Sequence, residues 1–328
     1  MVAATATELP TLAGFDPNRL MDGYRFDLEK AKRAVSFFPN VLSHVKNSRF
    51  TRANTPFVLQ EWQEILLLLL FGVVDDEGLR RFRTAYIEIP RKNGKTTLSA
   101  GIALLGLFSD REAGAEVYCA ASTRDQAGLL FEITAGMVQK SELLSKESTV
   151  KKSVKRIVYR DSYLRAVASD SHALHGLNSH VVVADEVHAW TQGGHELWDV
   201  LATGCASRAQ PIMLGITTAG FDQQSKCYEL HEYAKKVRDG HIDDASFLPV
   251  VYGAEPDEDW KDPAIWKKAN PNLGVSLPIE YLQQVCDQAG NNPSFQNAFR
   301  RLHLNQWTSQ RTRWLTMEAW DACEEGQP

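Results

Sequence analysis

Cysteines, long apolar runs and an excess of positive charge are all scarce in this sequence. Its five cysteines are widely spaced and never form a CxxC pair, which argues against a disulfide framework and against a zinc site. The longest apolar run, residues 65–71, holds seven residues, whereas a membrane-spanning helix needs about twenty. We therefore expect a protein of a reducing cytosol, without a membrane segment or an export signal.

The charge balance restricts how the chain can meet nucleic acid. Lysine and arginine total 36 against 41 aspartates and glutamates, which gives a formal net charge of −5. Proteins that bind nucleic acid nonspecifically usually carry a basic surface. Because this chain is acidic overall, any contact with DNA must be local.

Short β-prone segments alternate with amphipathic ones along most of the 328 residues. We predict strands at residues 84–89, 116–120, 157–159, 164–168, 180–184, 212–217 and 247–252. We predict helices at residues 95–107, 123–140 and 225–238. This alternation favours an α/β fold with a mostly parallel sheet covered by helices, in which ligands bind at the carboxyl ends of the strands. After Gly220 the composition becomes more polar, which predicts a smaller accessory subdomain from there on.

A phosphate-binding loop is predicted between the first core strand and its helix. Residues 89–96 match the pattern GxxxxGK[ST] except at the first position, where Ile89 replaces glycine. Gly94 lets the backbone approach phosphates, Lys95 reaches the β- and γ-phosphates, and Thr96 offers a hydroxyl to magnesium. A Gly-Lys-Thr triplet also occurs by chance in surface loops, so the rest of the chain must decide.

The apolar segment 180–184 ends in two adjacent carboxylates, Asp185 and Glu186. Asp185 would hold magnesium, and Glu186 would activate the attacking water as a general base. An isolated Asp-Glu pair is often only a solvated turn. Its combination with Lys95 upstream favours an ATP-hydrolysing site.

Two further segments have both a functional and a structural interpretation. Thr217-Thr218-Ala219-Gly220 follows a predicted strand, where hydroxyls could sense a γ-phosphate, although such a stretch is often a plain turn. Residues 56–63 bring amides ahead of the first core strand, and an amide can read both edges of adenine. The alternative is a helix start packed by Trp62. Five histidines are interpreted as structural or incidental: His172, His175, His180, His188 and His195.

The ordered set of motifs resembles the large terminase subunit of tailed bacteriophages, the motor that pumps DNA into a preformed capsid. The resemblance rests on residues 56–63, the loop 90–96, the Val-Ala-Asp-Glu end at Asp185 and the Thr217–Gly220 stretch. It is supported by residues 266–271 and 303–307, for which the sequence offers no independent chemical role. The resemblance implies a P-loop NTPase of the additional-strand (ASCE) type.

The same resemblance implies roles for individual residues. Gln63 would contact adenine, Glu186 would run hydrolysis and Thr218 would couple hydrolysis to movement. Thr96 and Asp185 would hold Mg²⁺. ATP would be bound by Gln63 and by the loop and helix start: Arg91, Lys92, Asn93, Gly94, Lys95, Thr96 and Thr97.

The resemblance leaves the arginine finger open. Many family members carry Arg-Gly shortly before the acidic strand, whereas this chain has His175-Gly176. A largely neutral imidazole is a poor substitute for guanidinium. Arg91, which would sense the γ-phosphate, and Arg208 are the remaining candidates.

The resemblance also implies domains and partners. Residues 1–54 would be a helical segment packed on the ATPase, residues 55–221 the ATPase core, and residues 222–328 a lid subdomain and linker. An RNase H-like nuclease domain is expected to be missing. The partners would be double-stranded viral DNA, the portal protein of the procapsid, the small terminase subunit and further copies in a ring, in the cytoplasm of the infected bacterial host. The alternatives are a helicase-like P-loop ATPase and a non-catalytic module that docks portal and DNA.

Overall fold

The computed structural model of the chain describes residues 8–168, 176–190 and 193–308. The strands are β1 (Arg25–Phe26), β2 (Val73–Val74), β3 (Thr84–Glu88), β4 (Glu116–Ala121), β5 (Ser148–Lys151), β6 (Arg156–Tyr159), β7 (Ser162–Ala168), β8 (Ser179–Asp185), β9 (Ile212–Thr217) and β10 (Phe247–Val251). The helices are α1 (Leu28–Val41), α2 (Glu61–Gly72), α3 (Lys95–Phe108), α4 (Arg124–Lys140), α5 (Glu142–Glu147), α6 (Gly194–Gly204), α7 (Lys226–Arg238), α8 (Pro263–Ala269), α9 (Ile279–Asn291) and α10 (Pro293–Leu304).

Eight strands form the central sheet, in the order β10-β3-β9-β8-β4-β7-β6-β5. The first six are parallel to their neighbours, and β7, β6 and β5 form an antiparallel extension. Strand β9 lies between β3 and β8, as the ASCE type requires, so the carboxyl ends of these three strands meet at one edge of the sheet. The predicted α/β fold, with a mostly parallel sheet, is confirmed.

Helices cover both faces of the sheet, which explains why its central strands are apolar throughout. On one face, α3 approaches β8 so closely that a Cβ at Gly106 would meet the side chain of Val181. On the other face, the ring of Trp198 in α6 lies over Gly215 of β9. Both glycines are places where a helix and a strand come into close contact.

The start of α3 has no side-chain cap, which matters for ligand binding. Helix α4 is capped by the hydroxyl of Thr123, and α7 by that of Ser225. The residue before α3 is Gly94, which has a left-handed backbone and no side chain to cap the helix. The first amides of α3 therefore keep their capacity to bind an anion.

The segment before the sheet is less helical than the sequence predicted. Within residues 8–54 the structure has one α-helix, α1, and one short strand, β1, together with turns and bridges. Its apolar side chains nevertheless join the main hydrophobic core, including those of Leu12, Phe15, Phe38 and Leu42. The segment thus packs on the α/β core.

The predicted boundary at residue 221 is too early. Helix α7 and strand β10 follow it, yet β10 pairs in parallel with β3 and completes the edge of the central sheet. The polar composition after Gly220 belongs to the exposed side of α7, not to a domain border. The accessory part consists of α8, α9 and α10, which share a separate small core around Trp266, Leu282 and Phe299. We call residues 263–304 the helical subdomain.

Candidate nucleotide-binding site

A cleft of about 1000 Å³ opens at the carboxyl edge of the sheet, between the β3–α3 loop, the start of α2 and the helical subdomain. Most of the predicted site residues line it: Gln63, Arg91, Lys92, Gly94, Lys95, Thr96, Thr97 and Glu186. Asn93, Asp185 and Thr218 lie behind these residues and are buried. Residues scattered over 150 positions of sequence therefore meet around one cavity.

Lys95 is the first residue of α3, and its side chain is almost completely buried. Its Nζ donates to the carbonyl oxygens of Ile89 (2.9 Å) and Pro90 (3.3 Å), within the loop itself. Burial lowers the pKa of Lys95 to about 8, although the carboxylates of Glu186 and Asp185 oppose that shift. The ammonium group is thus held in a fixed position with little hydration, beside the uncapped amides at the start of α3.

Asp185 is the last residue of β8 and is also buried. Burial raises the pKa of its carboxyl to about 7, the nearby charge of Glu186 adds to this, and Lys95 opposes it. The turn after it is fixed, because its Oδ1 accepts from the backbone N–H of Glu186 (3.0 Å) and its carbonyl accepts from Nε1 of Trp190 (3.0 Å).

Glu186 has a left-handed backbone, with φ of 49°, which is uncommon for a side chain with a Cβ. Burial acts to raise the pKa of its carboxyl, but contact with His188 and the charges of Lys95 and Arg91 outweigh it and hold the pKa below its usual value. Glu186 is therefore an ionised carboxylate facing the cleft. Non-glycine residues in this conformation concentrate at functional sites.

His188 was interpreted from the sequence as structural or incidental, but in the structure it contacts three candidate site residues. Its Nδ1 lies 3.2 Å from Oε2 of Glu186, 3.1 Å from Oγ1 of Thr217 and 3.3 Å from Oγ1 of Thr218. Its backbone N–H also donates to Oγ1 of Thr217 (2.9 Å). His188 therefore joins the acidic strand end to the Thr217-Thr218 stretch. The spacing Asp-Glu-x-His was the available signal, but it matched no metal-binding pattern.

Gln63 is buried in the wall of the cleft, and its amide is partly engaged. Its Oε1 accepts from the backbone N–H of Gln60 (3.0 Å) as part of the cap of α2. Its Nε2 lies beside Gly94. The amide nitrogen thus faces the loop.

The structure weighs against Arg208 as an arginine finger. Its guanidinium donates to Glu112 (3.0 Å) and to the carbonyl oxygens of Ala113 (3.0 Å), Gly114 (2.6 Å) and Asn178 (3.3 Å). These partners precede β4 and β8, at the sheet edge opposite the cleft. Arg91, by contrast, is exposed at the cleft. His175, which replaces the family's arginine, lies outside the described residues.

Comparison with known proteins gives a consistent family. The family model "Terminase large subunit, ATPase domain" matches residues 61–236, more than half of the chain. "Terminase, large subunit" of Enterobacteria phage HK97 is 28% identical over 244 residues, which cover 74% of this chain and 47% of that protein. "Protein YmfN" of Escherichia coli (strain K12) is 33% identical over 162 residues, which cover 47% of this chain and 35% of that protein. The chain thus spans less than half the length of these curated relatives.

One expectation is overturned by these comparisons. The model "Terminase large subunit, endonuclease domain" matches residues 241–326, so a missing nuclease domain is not supported. That expectation rested on the position at which the sequence ends and not on a search for the acidic residues of a nuclease. In the described part of that match, residues form β10 and the helical subdomain.

The fold agrees with the family. The crystal structure of the HK97 bacteriophage large terminase superimposes with a TM-score of 0.71 at 23% identity, over 90% of this chain and 58% of that one. Among the described residues, no helix is long and apolar enough to cross a membrane. The ATPase-domain match and the fold agree on one conclusion: the chain belongs to the terminase large subunit family.

Proposed function

We propose that this chain hydrolyses ATP as the motor domain of a phage DNA-packaging enzyme. The observation that carries the proposal is the meeting of Lys95 and Glu186 in one cleft, a phosphate-loop cation beside an ionised carboxylate. Membership of the terminase family supports the role in DNA packaging. The residues that line the cleft support ATP hydrolysis.

Nucleotide binding would use the loop and the start of α3. The backbone amides of the first turn point along the helix axis toward the cleft and would receive phosphate oxygens. Lys95 would exchange its two carbonyl partners for oxygens of the β- and γ-phosphates. Gln63, Lys92, Thr97 and the remaining loop residues would enclose the nucleotide.

Thr96 and Asp185 would hold Mg²⁺, and the residues present fit a hard cation. They offer a hydroxyl and a carboxylate, the oxygen ligands that Mg²⁺ prefers. Asp185 is a buried carboxyl whose ionisation a cation would favour, and Oε2 of Glu186 is buried without an aligned hydrogen-bond donor. When bound, the ion would neutralise charge on the phosphates.

Glu186 would activate the attacking water. Its carboxylate would take a proton as the water oxygen bonds to the γ-phosphorus, and the bond from that phosphorus to the bridging oxygen of ADP would break. Arg91 lies close enough to influence the pKa of Glu186 and would stabilise charge on the transferring group. Thr218 would report the state of the site through His188.

The partners of the chain follow from its family and belong to the same proposal. They would be double-stranded viral DNA, the portal protein, the small terminase subunit and further copies of the chain arranged as a ring on the portal. The work would take place in the cytoplasm of the infected host.

The test is steady-state ATP hydrolysis by the wild-type chain, with and without duplex DNA and portal-bearing procapsids. We expect Glu186→Gln to bind ATP but to hydrolyse it slower by about two orders of magnitude or more, because the base is lost while the phosphate contacts stay. Lys95→Ala should weaken nucleotide binding. Arg208→Ala is a control outside the cleft, and its hydrolysis per folded molecule should match that of the wild type.

Stimulation of a Glu186-dependent activity by procapsids would support a packaging motor. Stimulation by single-stranded DNA only would favour a helicase-like ATPase. If no condition gave hydrolysis above that of Glu186→Gln, the chain would be a docking module instead.

A further inference from the structure

The phosphate loop of this chain lacks one of the two glycines that usually help such a loop to adopt its shape. The first glycine of the pattern is replaced by Ile89, which is fully buried. Lys92 has a left-handed backbone with φ of 72°, a conformation that costs free energy for any residue with a Cβ. Such a backbone persists only when its surroundings hold it.

Asn93 provides one set of restraints, which join the loop to the helical subdomain. Asn93 is completely buried. Its Nδ2 donates to Oδ1 of Asn270 (2.8 Å) and to the carbonyl of Pro90 (3.1 Å). Its Oδ1 accepts from the backbone N–H of Asn272 (3.1 Å), and its carbonyl oxygen accepts from Nδ2 of Asn272 (3.0 Å).

The two partner asparagines are themselves fixed by hydrogen bonds. Oδ1 of Asn272 accepts from Nε1 of Trp62 in α2 (2.8 Å), and Nδ2 of Asn270 donates to the carbonyl of His303 in α10 (2.8 Å). Both side chains are almost completely buried. We call Asn93, Asn270 and Asn272 the asparagine clamp.

Two more contacts join the same parts of the chain. The backbone N–H of Arg91 donates to the carbonyl of Leu302 at the end of α10 (2.9 Å). The hydroxyl of Ser276 donates to the carbonyl of Lys92 (2.5 Å), the residue with the strained backbone. Three successive loop residues, Arg91, Lys92 and Asn93, are therefore each bonded to the chain after residue 269.

Burial alone does not explain this arrangement. An apolar side chain would fill the same space without loss of stability. A buried amide costs free energy unless each of its polar groups is paired. Here each side-chain nitrogen and oxygen of the clamp has a partner, and two of the bonds end on backbone carbonyls of the loop that must receive phosphate, those of Pro90 and Asn93. A loop held in its binding shape before the ligand arrives does not spend binding free energy on ordering itself.

We propose that Asn270 and Asn272 are positioning residues that hold the phosphate loop in the shape that binds nucleotide. Nucleotide affinity then depends on docking of the helical subdomain, and a nucleotide in the cleft stabilises that docking in return. The inference rests on the proposed function, because it concerns the same cleft.

The test is the affinity of the full 328-residue chain for ATP-γ-S with Mg²⁺, measured by titration calorimetry, together with kcat and KM for ATP. We expect Asn272→Ala to bind about tenfold or more weakly, because Asn93 loses a partner in a buried site. At saturating ATP, kcat should stay within about threefold of wild type, since bound phosphates supply new partners for the loop. A loss of stability alone would not produce this split between KM and kcat.

Asn18→Ala is the matched control. Asn18 also joins two segments through its amide, with bonds to both backbone groups of Leu9 (2.8 and 2.9 Å), but it lies away from the cleft. It should lower the melting temperature and leave nucleotide affinity unchanged. Ser276→Ala keeps the test open if Asn272→Ala fails to fold, because Ser276 is only half-buried, and it should weaken binding by about twofold to fivefold.

A double-mutant cycle separates the clamp from general loosening. The side chains of Asn93 and Asn270 bond each other directly, so if Asn270 acts through Asn93, the double variant Asn93→Ala/Asn270→Ala should bind within about twofold of the weaker single variant. Wild-type affinity in both Asn272→Ala and Ser276→Ala would overturn the clamp while leaving the ATPase proposal intact. Absence of nucleotide binding in the wild type would overturn both.

Discussion

His188 lies where three candidate functional side chains converge, those of Glu186, Thr217 and Thr218. We expect His188→Ala to lower kcat by about tenfold to a hundredfold, because a general base that is free to rotate spends less time aimed at the water. ATP affinity should change little, since His188 does not line the cleft. Steady-state kinetics and ATP-γ-S titration measure the two quantities.

His195→Ala is the control for the loss of an imidazole, because His195 is half-exposed and 3.7 Å from Glu229, outside the site. Unchanged kcat in His188→Ala would show that the turn after β8 orients Glu186 without help from the imidazole.

The charge of Lys95 should make nucleotide affinity depend on pH. Its pKa is lowered to about 8 by burial, so the ammonium loses its proton as the pH rises through that value. The attraction to phosphate is present below about pH 8 and falls above it. Titration of ATP-γ-S between neutral pH and about pH 9.5 should therefore show progressively weaker binding. Lys95→Ala, already without the charge, should show no such trend; an equal trend in that variant would assign the titration to another group.

At the residue scale, sequence was most informative where chemistry is local. Gly94, Lys95, Asp185 and Glu186 could be predicted because each belongs to a short motif with its own chemical requirement. His188, Asn270 and Asn272 could not, because their roles depend on partners 29 to 179 positions away. Arg208 shows the converse. The sequence left it as a candidate arginine finger, whereas in the structure its guanidinium is hydrogen-bonded to residues of its own chain away from the cleft.

Helix α3 is packed too tightly on α1 to accept even one methyl group at Gly101. A Cβ there would overlap the ring of Phe38, which is fully buried and fixed. We expect Gly101→Ala to lower the free energy of unfolding by about 1–2 kcal/mol, since overpacking costs about 1–3 kcal/mol and helix propensity returns up to about 1. Chemical denaturation measures the change.

Gly290→Ala is the matched control, because it lies in α9 with nothing within 4 Å of an added Cβ. It should be neutral or stabilise the chain by up to about 1 kcal/mol. Equal effects of the two substitutions would mean that α1 moves aside at no cost.

At the element scale, the sequence predicted the central strands and the helices α3, α4 and α7 nearly to the residue, because their apolar patterns are strong, but it did not predict α6. It assigned β10 to the wrong domain. The pattern of Phe247–Val251 shows that a strand forms, but not which sheet it joins, and its pairing with β3 bridges more than 150 positions. The sequence also overestimated the helix content of the first 54 residues, because apolar side chains there also reach the core from turns and bridges.

At the scale of the whole molecule, the buried side chain of Glu88 at the end of β3 connects distant parts of the chain. It accepts from the hydroxyl of Tyr86 (2.8 Å) and from Nε1 of Trp307 (3.2 Å), and it lies 3.1 Å from Nδ1 of His231. Trp307 follows the helical subdomain, so this contact fastens the end of the described chain to the central sheet.

Trp307→Phe should lower the free energy of unfolding by about 1–3 kcal/mol, because it removes a donor from a buried carboxylate and keeps a ring in place. If the effect passes through Glu88, then Glu88→Gln with Trp307→Phe should cost clearly less than the sum of the two single changes. Additive losses in denaturation experiments would show that Trp307 stabilises the fold through packing alone.

The position of β9 gives the chain a mechanical property. This strand separates the strand that leads into the phosphate loop from the strand that carries the acidic pair, and its carboxyl end is tied to the segment after α10. The N–H of Ala219 donates to Oδ1 of Asn305 (3.0 Å), and Gly220 lies against the ring of Trp307. Trp307 also bonds Glu88 at the end of β3, so tension applied to the polypeptide beyond Trp307 would reach the carboxyl ends of β9 and β3 together. A pull there would act directly on the edge of the sheet that carries the nucleotide site, and closing the site around ATP would pull back.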